Sequence, residues 1–98
     1  MSDKDSKTIG DSMEETRDRH ARYLRAVNNP VRRDILRALK EGNNTIETLS
    51  LATSLDAKTL DWHLKFLEYG FCVETKIEAG KKIFELTQEG LVIDYTDK

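Results

Sequence analysis

The sequence predicts an α+β fold that is mainly helical: four helices, a two-stranded β-hairpin and a short final helix. Residues 45–64 place apolar side chains where two short crossing helices would share one core: Ile46, Leu49, Ala52, Leu55, Leu60 and Leu64. Residues 71–86 alternate apolar and polar side chains on both sides of a turn. This order is a winged helix-turn-helix, which presents its second helix outward.

The 98-residue chain fits one small domain. We divide it into a flexible polar tail over residues 1–12 and a winged-helix domain over residues 13–96. Because so small a core is marginal, self-association that buries more apolar surface is expected. The single cysteine, Cys72, excludes an internal disulfide, and no apolar run reaches the roughly twenty residues of a membrane span. We therefore expect a cytoplasmic protein without a membrane partner.

The first predicted helix runs from Met13 to about Asn28, and its apolar stripe is thin: Met13, His20, Tyr23, Leu24 and Val27. Such a stripe suits a contact between two subunits or a position across a small core. The second helix starts with a capping residue, Asn29, followed by Pro30 at the first helical position. It ends near Lys40 before Gly42, and its apolar face holds Val31, Ile35, Leu36 and Leu39.

Capping residues delimit the helix-turn-helix. Thr45 is expected to cap a third helix that ends at Thr53, and Asp56 to cap a fourth helix over residues 57–69. Gly70 is expected to stop this fourth helix.

The predicted hairpin has strands over residues 71–77 and 81–86, joined by a turn at residues 78–80. Its tip carries lysines. A last short helix is expected to begin at residues 87–89 and to carry Leu91, Val92 and Tyr95.

The formal net charge of −2 disfavours a nucleic-acid partner, but the charge is unevenly distributed. Residues 17–40 hold eight basic and two acidic residues. Such a local patch can steer a polyanion towards an acidic protein. The alternative is an arginine-rich helix face that is solvated and paired with nearby acids.

The fourth helix is predicted to bury one side and expose the other. At 100° per residue, Leu60, Leu64 and Leu67 share one side, and the opposite side carries Lys58, Trp62, Lys65 and Tyr69. An exposed Trp62 would contact DNA or another protein, whereas the alternative packs it under the hairpin or a subunit neighbour. We expect His63 to be a core imidazole bonded to the backbone rather than a sensor or a ligand.

Two pairs of cations are candidate phosphate ligands. Lys81 and Lys82 lie beside the hairpin tip, where solubility is the competing explanation. Arg32 and Arg33 open the second helix near its free amides, where salt bridges to Asp34 or a neighbouring acid are equally consistent with the sequence.

Several motifs resemble the ArsR-like winged helix-turn-helix transcriptional regulators of bacteria and archaea. Residues 29–36 resemble the family's Pro-x-Arg-x-x-Ile-Leu opening of the second helix, and residues 49–64 match its helix-turn-helix without a gap, including the pair His63-Leu64. Residues 80–87 are similar to its wing. The resemblance spans roughly residues 20–90.

The resemblance implies a homodimer that reads a roughly twofold-symmetric DNA site, with the fourth helix in the major groove and the wing on the flanking backbone. Two departures from the family matter. Cys72 stands alone, and His20 and His63 lack ligand-spaced partners, so neither a metal nor another cofactor is expected. Asp61 occupies a position that the family often fills with a small hydroxyl residue facing DNA.

The combined interpretation is a prokaryotic, sequence-specific regulator that binds double-stranded DNA as a homodimer, with helix 57–69 in the major groove and wing 76–83 on the backbone. The DNA-binding candidates are Lys58, Thr59, Asp61, Trp62, Lys65, Lys81, Lys82, Arg32 and Arg33. The alternative is a winged helix that binds proteins and not DNA. No residue constellation supports catalysis or a small-molecule substrate.

Overall fold

The computed structural model describes residue 10 and residues 12–91. Its elements are α1 (Met13–Val27), α2 (Pro30–Lys40), α3 (Ile46–Thr53), α4 (Ala57–Tyr69), β1 (Val73–Glu78), β2 (Lys81–Leu86) and α5 (Gln88–Leu91). The two strands form an antiparallel hairpin, with Val73 opposite Leu86 and Glu78 opposite Lys81. The predicted fold class, a winged helix-turn-helix, is confirmed.

Side-chain caps define the starts of α2 and α3. Asn29 accepts a hydrogen bond from the Arg32 amide, and Thr45 exchanges hydrogen bonds with Thr48 in a capping box. Asp56 occupies the N-cap position of α4 but makes no side-chain cap hydrogen bond, so the prediction is correct only for its position. Interaction with the Thr59 hydroxyl lowers the pKa of Asp56.

The fourth helix ends at Tyr69 with Gly70 as its C-cap, as predicted, but the strand that follows starts later than predicted. The Cys72 amide donates to the Leu67 carbonyl at 2.8 Å, and the Phe71 amide donates to the Glu68 carbonyl at 3.1 Å. These bonds form a Schellman motif, in which Phe71, at φ 69°, takes the left-handed conformation that glycine usually supplies. Because Phe71 closes the helix, β1 begins at Val73 and not at residue 71.

Gly70 is needed for a reason other than its own backbone angles. A Cβ atom at this position would lie 2.5 Å from the Ala26 Cβ and 2.9 Å from the Arg22 carbonyl oxygen. Both distances are too short for ordinary contact. Gly70 therefore marks a close approach between α1 and the end of α4 that leaves no room for a side chain.

The core lies between the helices and the inner face of the hairpin. Its fully buried large side chains include Ile35, Leu36, Leu49, Leu60 and Leu67. The expectation that Ala52 joins this core is wrong, because Ala52 is exposed. With only eight residues, α3 turns one face inward and leaves Leu51 84% exposed.

The wing turn is shorter than predicted. Glu78 still pairs with Lys81, so two residues, Ala79 and Gly80, make the turn. Both have positive φ values, 51° and 79°, as a type I′ turn requires.

The start of α5 agrees with the prediction, whereas Val92, Tyr95, the end of the domain at residue 96 and most of the predicted tail lie outside the described residues. Among the described helices, none combines the length and apolar character needed to cross a lipid bilayer.

Candidate nucleic-acid interface

The two sides of α4 are divided as the sequence predicts. Leu60, Leu64 and Leu67 are buried, whereas Trp62 is 56% exposed and Tyr69 is 55% exposed. Lys58 and Lys65 are also exposed. The buried leucines attach α4 to the core and leave its other side open to a partner.

This open side carries little free charge. The Lys65 Nζ lies 3.3 Å from the Asp61 carboxylate one helical turn away, so the two candidate residues neutralise each other. Lys58 forms no ion pair with any described residue, and Thr59 lies beside Asp56. With respect to the residues that the structure describes, the outer side of α4 therefore offers one free cation, Lys58, at its N-terminal end.

An aromatic strip, defined here as Trp62, Phe66 and Tyr69, runs along α4. The Trp62 ring meets the edges of the Phe66 ring at 4.8 Å and of the His63 ring at 4.9 Å between centroids. Together with Lys65, the strip lines a shallow groove of about 260 Å³. Trp62 is therefore not packed under the hairpin within this chain.

The wing carries its free cations at the tip. Lys81 and Lys82 are exposed and form no ion pair among the described residues. By contrast, Lys76 contacts Glu85 on the opposite strand at 2.9 Å, and this hydrogen bond raises the pKa of Lys76. Lys81 and Lys82 thus keep the surface position that a phosphate contact requires.

Arg32, by contrast, is not at the surface where it could contact a phosphate. It is only 7% exposed, and its guanidinium donates to the carbonyl oxygens of Ala26 at 3.0 Å and Arg25 at 3.3 Å. The same group lies 4.5 Å above the Phe66 ring. Because it is enclosed and already bonded, the expectation of a phosphate contact from Arg32 is corrected: this arginine joins α2 to the end of α1 and to α4.

Arg33 has a related role. Its Nη1 donates to the Val27 carbonyl at 3.0 Å, and its side chain is partly buried. Arg32 and Arg33 thus bind the three consecutive carbonyls that end α1, which have no partners within that helix. We call this arrangement the arginine joint. Asp34 pairs instead with Arg37, at 2.8 Å.

His63 is buried, as predicted, but its partner is not the backbone. Its Nδ1 lies 3.4 Å from the Arg32 guanidinium, which can only donate, so Nδ1 is the acceptor and the ring is neutral. Burial, and then the charge of Arg32, lowers the pKa of His63.

The arginines of α1 are partly used within the fold. Arg22 lies 4.5 Å above the Tyr69 ring and 4.7 Å from the Phe71 ring centroid. It also contacts Asp18 at 3.4 Å, and Arg19 contacts Glu15 at 2.7 Å. The basic segment is therefore less available to a polyanion than its composition indicates.

The role of Phe66 was missed from the sequence. This residue lies between the buried and exposed sides of α4, so helical periodicity does not assign it to either. Its spacing of four residues from Trp62 is the signal that predicts a contact.

The described residues contain no group of three or more His, Cys, Asp or Glu side chains placed to hold a metal ion. Cys72 is fully buried, and burial raises the pKa of its thiol to about 12.

The segment from the cap of α2 to the end of α4 matches a known family. Residues 29–69 match the family described as bacterial regulatory proteins of the arsR family. The helix-turn-helix of this chain is ArsR-like. No curated protein shows a significant match to this chain.

Several solved structures share the fold of this chain. The chain is similar to the DNA-binding domain (fragment 1-100) of Mb0332 from Mycobacterium bovis, described as a homodimeric winged helix-turn-helix domain of a possible ArsR-family transcriptional regulator. The TM-score is 0.79 at 23% identity over 94% of this chain and 87% of that one. It is also similar to NolR from Sinorhizobium fredii, with a TM-score of 0.72 at 22% identity over 90% and 89% of the two chains. For reduced HlyU from Vibrio cholerae, the TM-score is 0.69 at 27% identity over 85% and 90%.

Proposed function

We propose that the protein is a sequence-specific transcriptional regulator that binds double-stranded DNA as a homodimer. In this proposal α4 enters the major groove and wing residues 76–83 contact the flanking backbone. The observation that carries it is the division of α4: three leucines fix one side in the core and the other side stays open. An α-helix presented in this way fits the width of the major groove.

The free cations support the proposed docking geometry. Lys58 at the start of α4 and Lys81 and Lys82 at the wing tip have no ion-pair partner among the described residues. Phosphate contacts from such groups supply most of the affinity of DNA-binding proteins. Arg32 is no longer part of the proposed set, and Arg33 is used by the arginine joint.

A dimer is supported by apolar side chains that this single chain leaves uncovered. On α1, Met13 is 80% exposed and Leu24 is 48% exposed, and Leu91 at the end of α5 is 49% exposed. The Tyr23 hydroxyl donates to the Glu89 carbonyl at 3.4 Å, so α1 and α5 contact each other. The similar Mycobacterium bovis domain is described as homodimeric. To read two adjacent half-sites, pairing through α1 and the C-terminal segment has to place the two α4 helices about 34–36 Å apart, one duplex turn.

Fluorescence anisotropy with labelled duplex DNA at several salt concentrations tests the proposal. Affinity should fall linearly with the logarithm of salt concentration, and Lys58→Ala should weaken binding. Leu51→Ala, a matched change of an exposed residue on α3, should have a smaller effect. Binding that is absent at low salt would rule out the proposal.

A protein-binding module is the second candidate function. It is supported by the exposed aromatic strip and by the net charge of −2. A change in Trp62 fluorescence on adding a protein but not duplex DNA would favour this alternative.

A further inference from the structure

The aromatic strip presents an apolar surface where a DNA-reading helix usually presents polar groups. Phe66 has no polar atom, and Trp62 and Tyr69 each have one, at the indole nitrogen and the phenol oxygen. Lys65 lines the same groove, but its ammonium group contacts Asp61. Most of the surface that the strip can offer to a partner is therefore hydrocarbon.

The major groove contains one apolar group that matches such a surface. Guanine, adenine and cytosine present mainly hydrogen-bond donors and acceptors there, whereas thymine also presents its 5-methyl group. A polar base edge pressed against the strip would lose its bonds to water without replacement. A thymine methyl group would instead gain an apolar contact.

We propose that the aromatic strip recognises thymine 5-methyl groups in the major groove, with Trp62 as the main contact. This inference rests on the proposed DNA-binding function and specifies which base chemistry α4 reads. It predicts that the preferred half-sites present thymine methyl groups towards α4.

The strip is held in place from behind, which favours a specific contact over a general one. The guanidinium of Arg32 lies 4.5 Å under Phe66, and that of Arg22 lies 4.5 Å from Tyr69. Trp62 in turn meets Phe66 and His63 edge-on. Because these contacts restrict the rings, we expect little side-chain entropy to be lost when a methyl group binds.

The test uses the full chain and a duplex selected from a randomised pool. Thymines of the selected half-sites are replaced by deoxyuridine, which keeps the base-pairing groups and removes only the methyl group. A matched duplex carries the same number of replacements outside the half-sites. Both are measured with the wild-type chain and with Trp62→Ala, whose folding is checked by circular dichroism.

For the wild type we expect about fourfold weaker binding for each contacted methyl group that is lost. The matched duplex should bind normally, and Trp62→Ala should respond much less to the replacement, as a direct contact requires. Salt-dependent binding that ignores deoxyuridine, or an equal effect in Trp62→Ala, would overturn this inference and leave DNA binding intact. The inference would also be overturned if Trp62→Ala abolished binding to a partner protein while DNA binding did not respond to deoxyuridine. If the chain bound no DNA at all, the proposed function itself would fail.

Discussion

The arginine joint and the wing tip each contain a pair of basic residues, and the sequence alone does not distinguish their roles. Arg32 and Arg33, like Lys81 and Lys82, are adjacent basic residues beside a turn. In the structure, the two arginines bind main-chain carbonyls at the end of α1, whereas the two lysines remain exposed. A planar group with several donors can satisfy a helix end, whereas a lysine at a loop tip can only reach outward. Whether the cationic group is buried against carbonyls or exposed therefore distinguishes a residue that stabilises the fold from one that is available to a ligand.

The largest difference between the two regions is expected in the stability of the variant Arg32→Ala. Its removal leaves two carbonyls and the His63 ring without their partner in a buried setting, and we expect the free energy of unfolding to fall by about 3 kcal/mol. Urea denaturation measures this loss. Arg37→Ala on the same helix, where the arginine pairs with Asp34 near the surface, should cost less than about 1 kcal/mol. Equal losses would mean that the joint does not stabilise the fold in this way.

At the wing tip, removing the cations should weaken DNA binding and leave the stability of the fold unchanged. For the double variant Lys81→Ala and Lys82→Ala we expect unchanged stability, about tenfold weaker DNA binding, and a salt slope smaller by about 2, because two phosphate contacts are lost. The control is Lys76→Ala, whose lysine contacts Glu85 on the same hairpin. If Lys76→Ala had the larger effect on the salt slope, the assignment of the tip lysines would be wrong.

A smaller effect is expected from pH, which should change the stability contributed by the arginine joint through His63. The folded state holds His63 neutral and lowers its pKa below the ordinary 6.5, so the unfolded chain binds more protons as the pH falls. Stability should therefore be greatest above pH 6.5 and should decrease below it. Denaturation curves at several pH values measure the slope.

His63→Asn, which keeps an acceptor near Arg32 but does not titrate, should flatten this pH dependence. His20→Ala removes the other histidine and should leave the dependence in place. A slope that persists in His63→Asn would assign it to other groups.

The smallest expected effect concerns the wing turn. Ala79 adopts a positive φ of 51°, a conformation that asparagine tolerates better, and Asn-Gly is the preferred type I′ pair. Ala79→Asn should raise the free energy of unfolding by about 0.5 kcal/mol and leave the salt slope unchanged. Thermal denaturation detects this shift, and a lower melting temperature would contradict it.

Sequence patterns predicted the helices of this fold closely because their signals are local. Asn29 and Pro30 define the start of α2, and the leucine spacing defines the buried side of α4. The roles of Arg32 and His63 depend on how α1, α2 and α4 meet, and no short-range pattern contains that information. Ala52 was misplaced for a related reason, since α3 carries apolar residues on more than one side.

For the candidate site, the exposure of Trp62, Lys81 and Lys82 followed from helical and hairpin periodicity. The neutralisation of Lys65 by Asp61 was accessible from their four-residue spacing. The same spacing relates Phe66 to Trp62 and predicts their contact, but the edge-on arrangement of the two rings depends on side-chain orientations that the spacing does not give.

Gly70 has a consequence for how such a chain could acquire new specificity. At Gly70, α4 lies against the Ala26 side chain and the Arg22 carbonyl of α1, and this contact involves none of the side chains that α4 displays outward. Residues on the outer side of α4 could then change during evolution without shifting the helix. In a pair of chains joined through α1, base preference could diverge while the spacing between half-sites stayed constant.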